Sequence, residues 1–304
     1  MNEVYTWQND LYPLVTKRFS DRYAERTDIM KAVIGEETID RVDSREEGIG
    51  GYGEVPDYDG TTITELGQKR GYVKIYTPAE KAAQVSVTYK KAKVDMSGEA
   101  KRTGTRLADS LSMTRLLDFY RLFGNAFNAS YAGADGKAWA AADHPISSDS
   151  GAGTFSNLLT SEFSISAITT AQTTANRFVT FDGLPFMCNF DLVLISPELE
   201  PKAKEFFGKE AKLIPESAEN GANPVYGMKY HVVGGGADFG FSAKQWAVAD
   251  SMLLKEYAKC VNITKPMVMY NKESSNPLIA KYTGYADYIM GFSEARMIIF
   301  SNPA

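Results

Sequence analysis

Apolar positions along the chain change period several times, and each change marks an element. In the first forty residues Phe19, Tyr23 and Met30 share a helical face, and Pro13 and Gly35 are expected to limit that helix. From Asp43 to Gly71 no period is sustained. The stretch DSREEGIGGYGEVPDYDGTTITELGQKRG is rich in glycine and charge and carries Pro56. An irregular excursion of about thirty residues is unusual inside a compact domain and points to a partner-binding segment. Strand character follows: Tyr72, Val73, Ile75 and Tyr76 form one run. Val85, Val87 and Tyr89 then alternate with Ser86, Thr88 and Lys90, with a turn expected around Pro78 and Lys81.

A long helix is expected from Lys101 to Tyr131. Leu107, Leu111, Leu116, Tyr120, Phe123, Phe127 and Tyr131 recur at steps of three to five, and Gly133 stands where a stop belongs. Such a helix would be about 45 Å long, the length of a strut. A second helix is expected from Ser161, as its cap, to Phe178, lined by Ile168, Ala171 and Ala175. Phe190–Ser196 reads as a buried strand leading into a helix opened by Pro197 and closed by Gly208. Short strands follow around 230–233, 246–249, 261–270, 279–289 and 297–300. Helices and strands do not alternate strictly, so the class is α+β.

Composition narrows the function. At 304 residues the chain is long enough for one or two domains, and its 44% hydrophobic and 23% charged residues are globular usage, not disorder. A formal net charge of −5 lacks the basic balance of a dedicated nucleic-acid binder. No run approaches the roughly 20 apolar residues of a membrane helix, and the amino terminus does not read as a signal peptide. Two cysteines, Cys188 and Cys260, make neither a disulfide framework nor a four-sulfur metal site, and buried thiols in a reducing compartment account for them.

Candidate chemistry is thin. Gly48 to Gly53 matches G-x-G-x-x-G, but a charged stretch precedes it and EVPDYDG follows, where a dinucleotide loop needs a strand and a helix. His144, within Asp143-His144-Pro145, and His231 are the only histidines, without a nucleophile elbow or metal-ligand spacing; a pairing with either cysteine is the residual catalytic reading. Gly234-Gly235-Gly236 reads as a turn. The run Tyr89-Lys90-Lys91-Ala92-Lys93 is either a DNA-facing patch or a solvated strand end guarded by lysine, and the second reading is preferred. No catalytic residue, cofactor or metal is expected.

The order of segments resembles the major capsid proteins of tailed bacteriophages, the Hong Kong 97-type fold, among relatives of the Mu-like head subunits. The likeness rests on an amino-terminal arm, a glycine- and charge-rich excursion ending in strands, and one very long helix. That helix closes on Gly133-Ala134-Asp135-Gly136, followed by Asp143-His144-Pro145 and Gly153-Thr154-Phe155-Ser156-Asn157. Phe190–Ser196, Pro197–Gly208, Gly227–Val233 and Trp246–Asp250 continue the order of the family's axial (A) domain, and Ala280–Met290 and Arg296–Ile299 resemble strands returning to its peripheral (P) domain.

The resemblance implies an N-terminal arm over 1–42, an extended E-loop hairpin over 43–85, a P-domain with the spine helix over 86–157, an A-domain over 158–257 and return strands over 258–304. It implies pentamers and hexamers of this chain forming an icosahedral head around double-stranded DNA, bound without sequence specificity, with a portal protein and a separate scaffolding protein as further partners. The arm is expected to be retained, without a fused scaffold ahead of it. Synthesis in the host bacterial cytoplasm, residence in the virion capsid and no membrane association go with this. Candidate contacts between subunits are Trp7, Leu11, Leu14 and Phe19 of the arm, and Tyr52, Tyr58, Lys69 and Lys74 of the loop; Lys69, Lys74 and Lys81 are the lysines available to a crosslink. An encapsulin-like compartment and, more remotely, a soluble enzyme are the alternatives.

Overall fold

The computed structural model describes residues 3–303 other than 27, 50–51, 59, 62, 68–69, 95, 150, 152, 209–222, 235–238 and 272–275. In chain order the first half carries α1 (Glu3–Arg26), α2 (Asp28–Val33), β1 (Gly35–Thr38), β2 (Ser44–Ile49), β3 (Arg70–Tyr76), β4 (Ala79–Thr88), α3 (Tyr89–Val94) and α4 (Met96–Gly124). The second half carries β5 (His144–Pro145), β6 (Thr154–Phe155), β7 (Leu158–Leu159), α5 (Ile165–Ala175), β8 (Leu192–Ile195), α6 (Glu200–Phe207) and β9 (Lys229–Val232). It ends with β10 (Trp246–Ala249), α7 (Ser251–Tyr257), β11 (Ala258–Tyr270), β12 (Ile279–Phe292) and β13 (Ile298–Ser301). Two compact units result, each assembled from three separate stretches of chain.

The first unit comprises Met1–Ser44, Tyr76–Asp118 and Cys260–Met290. Its sheet runs β1-β11-β12-β4, with β12 and β4 antiparallel from Ile279↔Thr88 to Tyr288↔Ala79. Lys81 therefore lies inside a strand and not in a turn. In α1, Trp7, Leu11, Val15 and Phe19 fall four apart and are all buried. This stripe crosses Pro13, which was expected to limit the helix and instead sits within it. Proline removes one backbone hydrogen bond and crowds the preceding turn. Tertiary contacts hold the helix around it: Gln8 Nε2 donates to the carbonyls of Pro277 (3.2 Å) and Ile279 (3.0 Å), and Tyr12 Oη to Val268 (3.1 Å). Close approach fixes α4 in place. A Cβ built on Gly104 would stand 2.5 Å from the Val15 carbonyl oxygen, and one on Gly284 of β12 would stand 2.9 Å from Leu107 Cγ.

The long helix starts earlier and ends earlier than its apolar pattern implied. It closes through a 3-10 turn, Asn125–Phe127, and Asn128 leaves helical geometry at φ −97° and ψ 116°. Asn128 Oδ1 accepts from the Ser130 amide (2.9 Å), while the Ala140 amide takes the Ala126 carbonyl (2.9 Å). Tyr131, the last member of the expected stripe, is exposed and so has no core to extend the helix toward. The 29 residues of α4 still span about 43 Å.

The second unit comprises Arg45–Ile75, Phe119–Lys259 and Gly291–Ala304. Its main sheet runs β7-β13-β10-β8-β9, with β10 antiparallel to both β13 and β8. The runs LVLI, WAVA and IIFS of β8, β10 and β13 are buried at every position, as unalternating apolar strands must be. The last strand, β13, does not join β11 and β12; it lies between β10 and β7, with all four positions buried. Helix α5 begins after Ser164, whose Oγ accepts from the Ala167 amide (3.1 Å); Ser161, the expected cap, uses its carbonyl to accept from Trp246 Nε1 (3.0 Å) and Ser301 Oγ (2.6 Å). Helix α7 was not anticipated: Asp250 Oδ1 caps it by accepting from the Met252 and Leu253 amides. β2, hidden in charged sequence, pairs with β3.

Candidate interaction surface and buried polar clusters

Between Tyr52 and Gly67 the described residues form no helix or strand. Tyr52, Val55, Tyr58 (66% exposed) and Ile63 (85%) stand in solvent within a dozen positions. Large apolar side chains grouped in this way mark an interaction site more often than a free surface. In β3, Val73 and Ile75 are exposed while Tyr72 and Lys74 turn the other way. Tyr72 Oη donates to the Ser147 carbonyl (2.7 Å), and Lys74 Nζ to that of Ala132 (2.9 Å) while lying 5.7 Å from the Phe292 ring centroid. Burial lowers the Lys74 pKa from the ordinary lysine value, against the pull of Asp135. Lys81 pairs with Asp118 and sits over the Tyr288 ring. Lys69 lies outside the described residues.

The arm residues divide. Trp7, Leu11 and Phe19 are inside the first unit, whereas Leu14 is on the outer side of α1. Of the eight contact candidates, Leu14, Tyr52 and Tyr58 therefore present surface, and Trp7, Leu11, Phe19 and Lys74 are largely engaged within the chain.

Sequence reasoning missed three buried polar hubs. Arg115 follows Leu111 by four positions and precedes Phe119 by four, so a charge interrupts the apolar stripe of α4, and that was the signal for a buried pair. It donates to Glu36 Oε1 (2.7 Å), Tyr23 Oη (2.7 Å) and Asn262 Oδ1 (3.1 Å), and touches Cys260 Sγ (3.1 Å). Burial alone would raise the Glu36 pKa, but Arg115 and then Lys31 outweigh it and hold the carboxyl below its ordinary range. Burial likewise pushes the Cys260 thiol up, against Arg115.

In the second unit, Arg296 donates to the carbonyls of Val179 (2.8 Å) and Ile146 (2.6 Å) and to both oxygens of Glu294, with its guanidinium between the rings of Phe155 and Phe181. Asn157, which ends Gly153-Thr154-Phe155-Ser156-Asn157, bonds Ala141, Trp139 and Ala295. His144 is fully buried against Asp135 Oδ2 (2.5 Å), with Nε2 facing the Trp139 carbonyl and Asn157 Oδ1 (both 3.2 Å). These groups order the loop after α4.

Burial disfavours the thiolate of both cysteines. Cys188 Sγ meets the Ala175 carbonyl, and burial, followed by Asp250, pushes its thiol up to about 11. That is the opposite of an activated nucleophile. Gly50 and Gly51 lie outside the described residues, and coil, not a helix, continues from Tyr52. Gly234 forms a bridge to Gly240; Gly235 and Gly236 are outside the described residues. Among the described residues no group of three His, Cys, Asp or Glu could hold a metal, and no helix is long and apolar enough to cross a membrane. A cavity of about 230 Å³ beside Arg296 has Tyr72, Lys259 and Arg296 in its wall, each already bonded within the chain.

No family model and no curated protein matches the sequence. Solved structures do match the fold. The capsid of the cyanophage P-SCSP1u aligns with a TM-score of 0.55 at 10% identity, over 92% of this chain and 89% of that one. The capsid of the native GTA particle aligns at 0.54 and 10% identity, over 90% and 89%. The virus-like particle from Pyrococcus furiosus aligns at 0.52 and 9% identity, over 96% and 99%. The chain has the mixed helix-and-sheet fold of these capsid proteins.

Proposed function

We propose that this chain is the major capsid subunit of a tailed bacteriophage, a shell protein and not an enzyme. Copies of it assemble as pentamers and hexamers into an icosahedral head enclosing double-stranded DNA. The observation that carries this reading is the end-to-end likeness of fold to capsid proteins, which leaves about a tenth or less of this chain unaligned. The exposed apolar loop supports it, because a segment without a local core finds its burial on a neighbour.

In this reading α1 and α2 form the arm, β2 to β4 with the loop between them form the E-loop, α4 is the spine helix, and the sheet around β8 and β10, now joined by β13, belongs to the A-domain. Leu14, Tyr52, Tyr58, Val55 and Ile63 make the contacts between subunits, while Trp7, Leu11 and Phe19 hold the arm to its own fold. Permanent interfaces bury about 2,000–5,000 Å², and multivalency joins many such contacts into a stable shell. A portal and a separate scaffolding protein complete the assembly, which resides in the virion after synthesis in the host cytoplasm.

Negative-stain microscopy and light scattering of the purified chain test the proposal. Closed particles or capsomers many times the subunit mass are expected, and a stable monomer at every salt and protein concentration overturns it. A compartment of the same fold built around a protein cargo is separated by what co-purifies inside the particles, nucleic acid or enzyme.

A further inference from the structure

We propose that the face formed by α3, the first turns of α4 and the part of α1 that crosses it binds the phosphate backbone of double-stranded DNA. The proposal rests on the reading of the chain as a DNA-enclosing shell and assigns the surface that meets the DNA. The lysine run was read from sequence as a solvated strand end. In the structure, strand β4 stops at Thr88, and Tyr89–Val94 is a separate helix. The lysines therefore do not guard a sheet edge. On α3 only Ala92 is buried, while Lys90, Lys91 and Lys93 are exposed. On α4, Lys101, Arg102 and Arg106 are exposed, whereas Thr103, Leu107 and Ala108 are buried. The close approach at Gly104 adds α1: a Cβ there would lie 3.1 Å from Arg18 Cβ, and both Lys17 and Arg18 are exposed.

Charge is concentrated here against the trend of the molecule. Six basic and two acidic residues fall between Tyr89 and Arg106, in a chain of net charge −5. One of those acids, Glu99, stands 3.9 Å from Arg102, and the nearby Asp109 accepts from Arg22 Nε (2.9 Å), so local carboxylates offset only part of the cluster. Exposed cations spread over three helical segments match a polyanion of closely spaced charges and neutralise its phosphates without reading sequence. An acidic protein partner is the poorer fit, since protein interfaces are depleted in lysine.

The test is fluorescence anisotropy of a short labelled duplex of arbitrary sequence with the purified chain, across a range of salt. Binding should weaken with a log–log slope of about −4 to −5, as for roughly five neutralised phosphates. K90Q/K91Q/K93Q should flatten that slope by about 2 to 3 and weaken low-salt binding about tenfold or more, and K101Q/R102Q/R106Q should act alike. K202Q/K229Q/K244Q removes as many exposed lysines from the second unit and should change little. Equal losses in that control, no loss in the two cluster variants, or equal competition by poly-glutamate per unit charge each overturn the proposal. Negative-stain imaging of the same samples keeps the two readings apart. Shells without DNA binding sink this inference alone, and DNA binding without shells sinks the capsid reading alone.

Discussion

Helix α1 and the loop from Tyr52 to Gly67 carry similar kinds of side chain, large apolar groups mixed with charge, and both drew notice as surfaces for a neighbour. They end up in opposite environments. Leu11 and Val15 are completely buried, and Trp7 and Phe19 nearly so, whereas Tyr52, Val55, Tyr58 and Ile63 remain in solvent. Spacing separates them. Apolar groups four apart line one side of a helix and can be covered together by their own fold, and α1 is held there by Gln8 and Tyr12, which bond Pro277, Ile279 and Val268, and by α4 at Gly104. The loop's apolar groups follow no period, so no single face of their own chain covers them.

That contrast can be broken experimentally. If the arm belongs to the home core, severing its polar anchor should have the largest effect. Arg115→Met removes the buried guanidinium that pairs with Glu36 and donates to Tyr23, and should lower stability by about 3–5 kcal/mol in chemical denaturation. Leu11→Ala, a cavity under the arm, should cost about 2–5 kcal/mol by the same measurement. Gly104→Ala forces α1 and α4 apart and should cost about 1–3 kcal/mol despite alanine's better helix propensity. A denaturation midpoint unchanged by any of these would place the arm outside the core.

The acid limb sharpens the same point. Folded Glu36 has a pKa below its ordinary value of 4.5. As pH falls, the unfolded chain therefore binds this proton first. The group's contribution is fully present above about pH 4.5 and is lost as pH falls through the lower folded value. Glu36→Gln should flatten the stability–pH profile below about pH 5 and leave its slope at neutral pH unchanged. A smaller effect on folding is expected from the loop. Tyr58→Ala and Ile63→Ala should change unfolding free energy by no more than about 0.5 kcal/mol, yet block particle closure in negative stain. Loss of stability comparable to Leu11→Ala would return the loop to the core.

Local sequence determined what depends on neighbours along the chain. LVLI, WAVA and IIFS had to be buried strands because no polar residue breaks them except a terminal Ser301. Pro197 opened a 3-10 turn that runs into α6, and Gly208 follows that helix; the want of period from Asp43 to Gly71 foretold the irregular stretch from Tyr52 to Gly67, though not strand β2. The tertiary structure alone decided which strand β13 joins, where α4 stops, that α1 continues through Pro13, and that Lys90, Lys91 and Lys93 sit on a helix. It also decided that the arm's apolar stripe is covered at home, since such a stripe reads the same whether its own sheet or a neighbour's covers it. Each of these outcomes turns on a contact between residues distant in sequence, and period and propensity carry no information about which surface will arrive opposite.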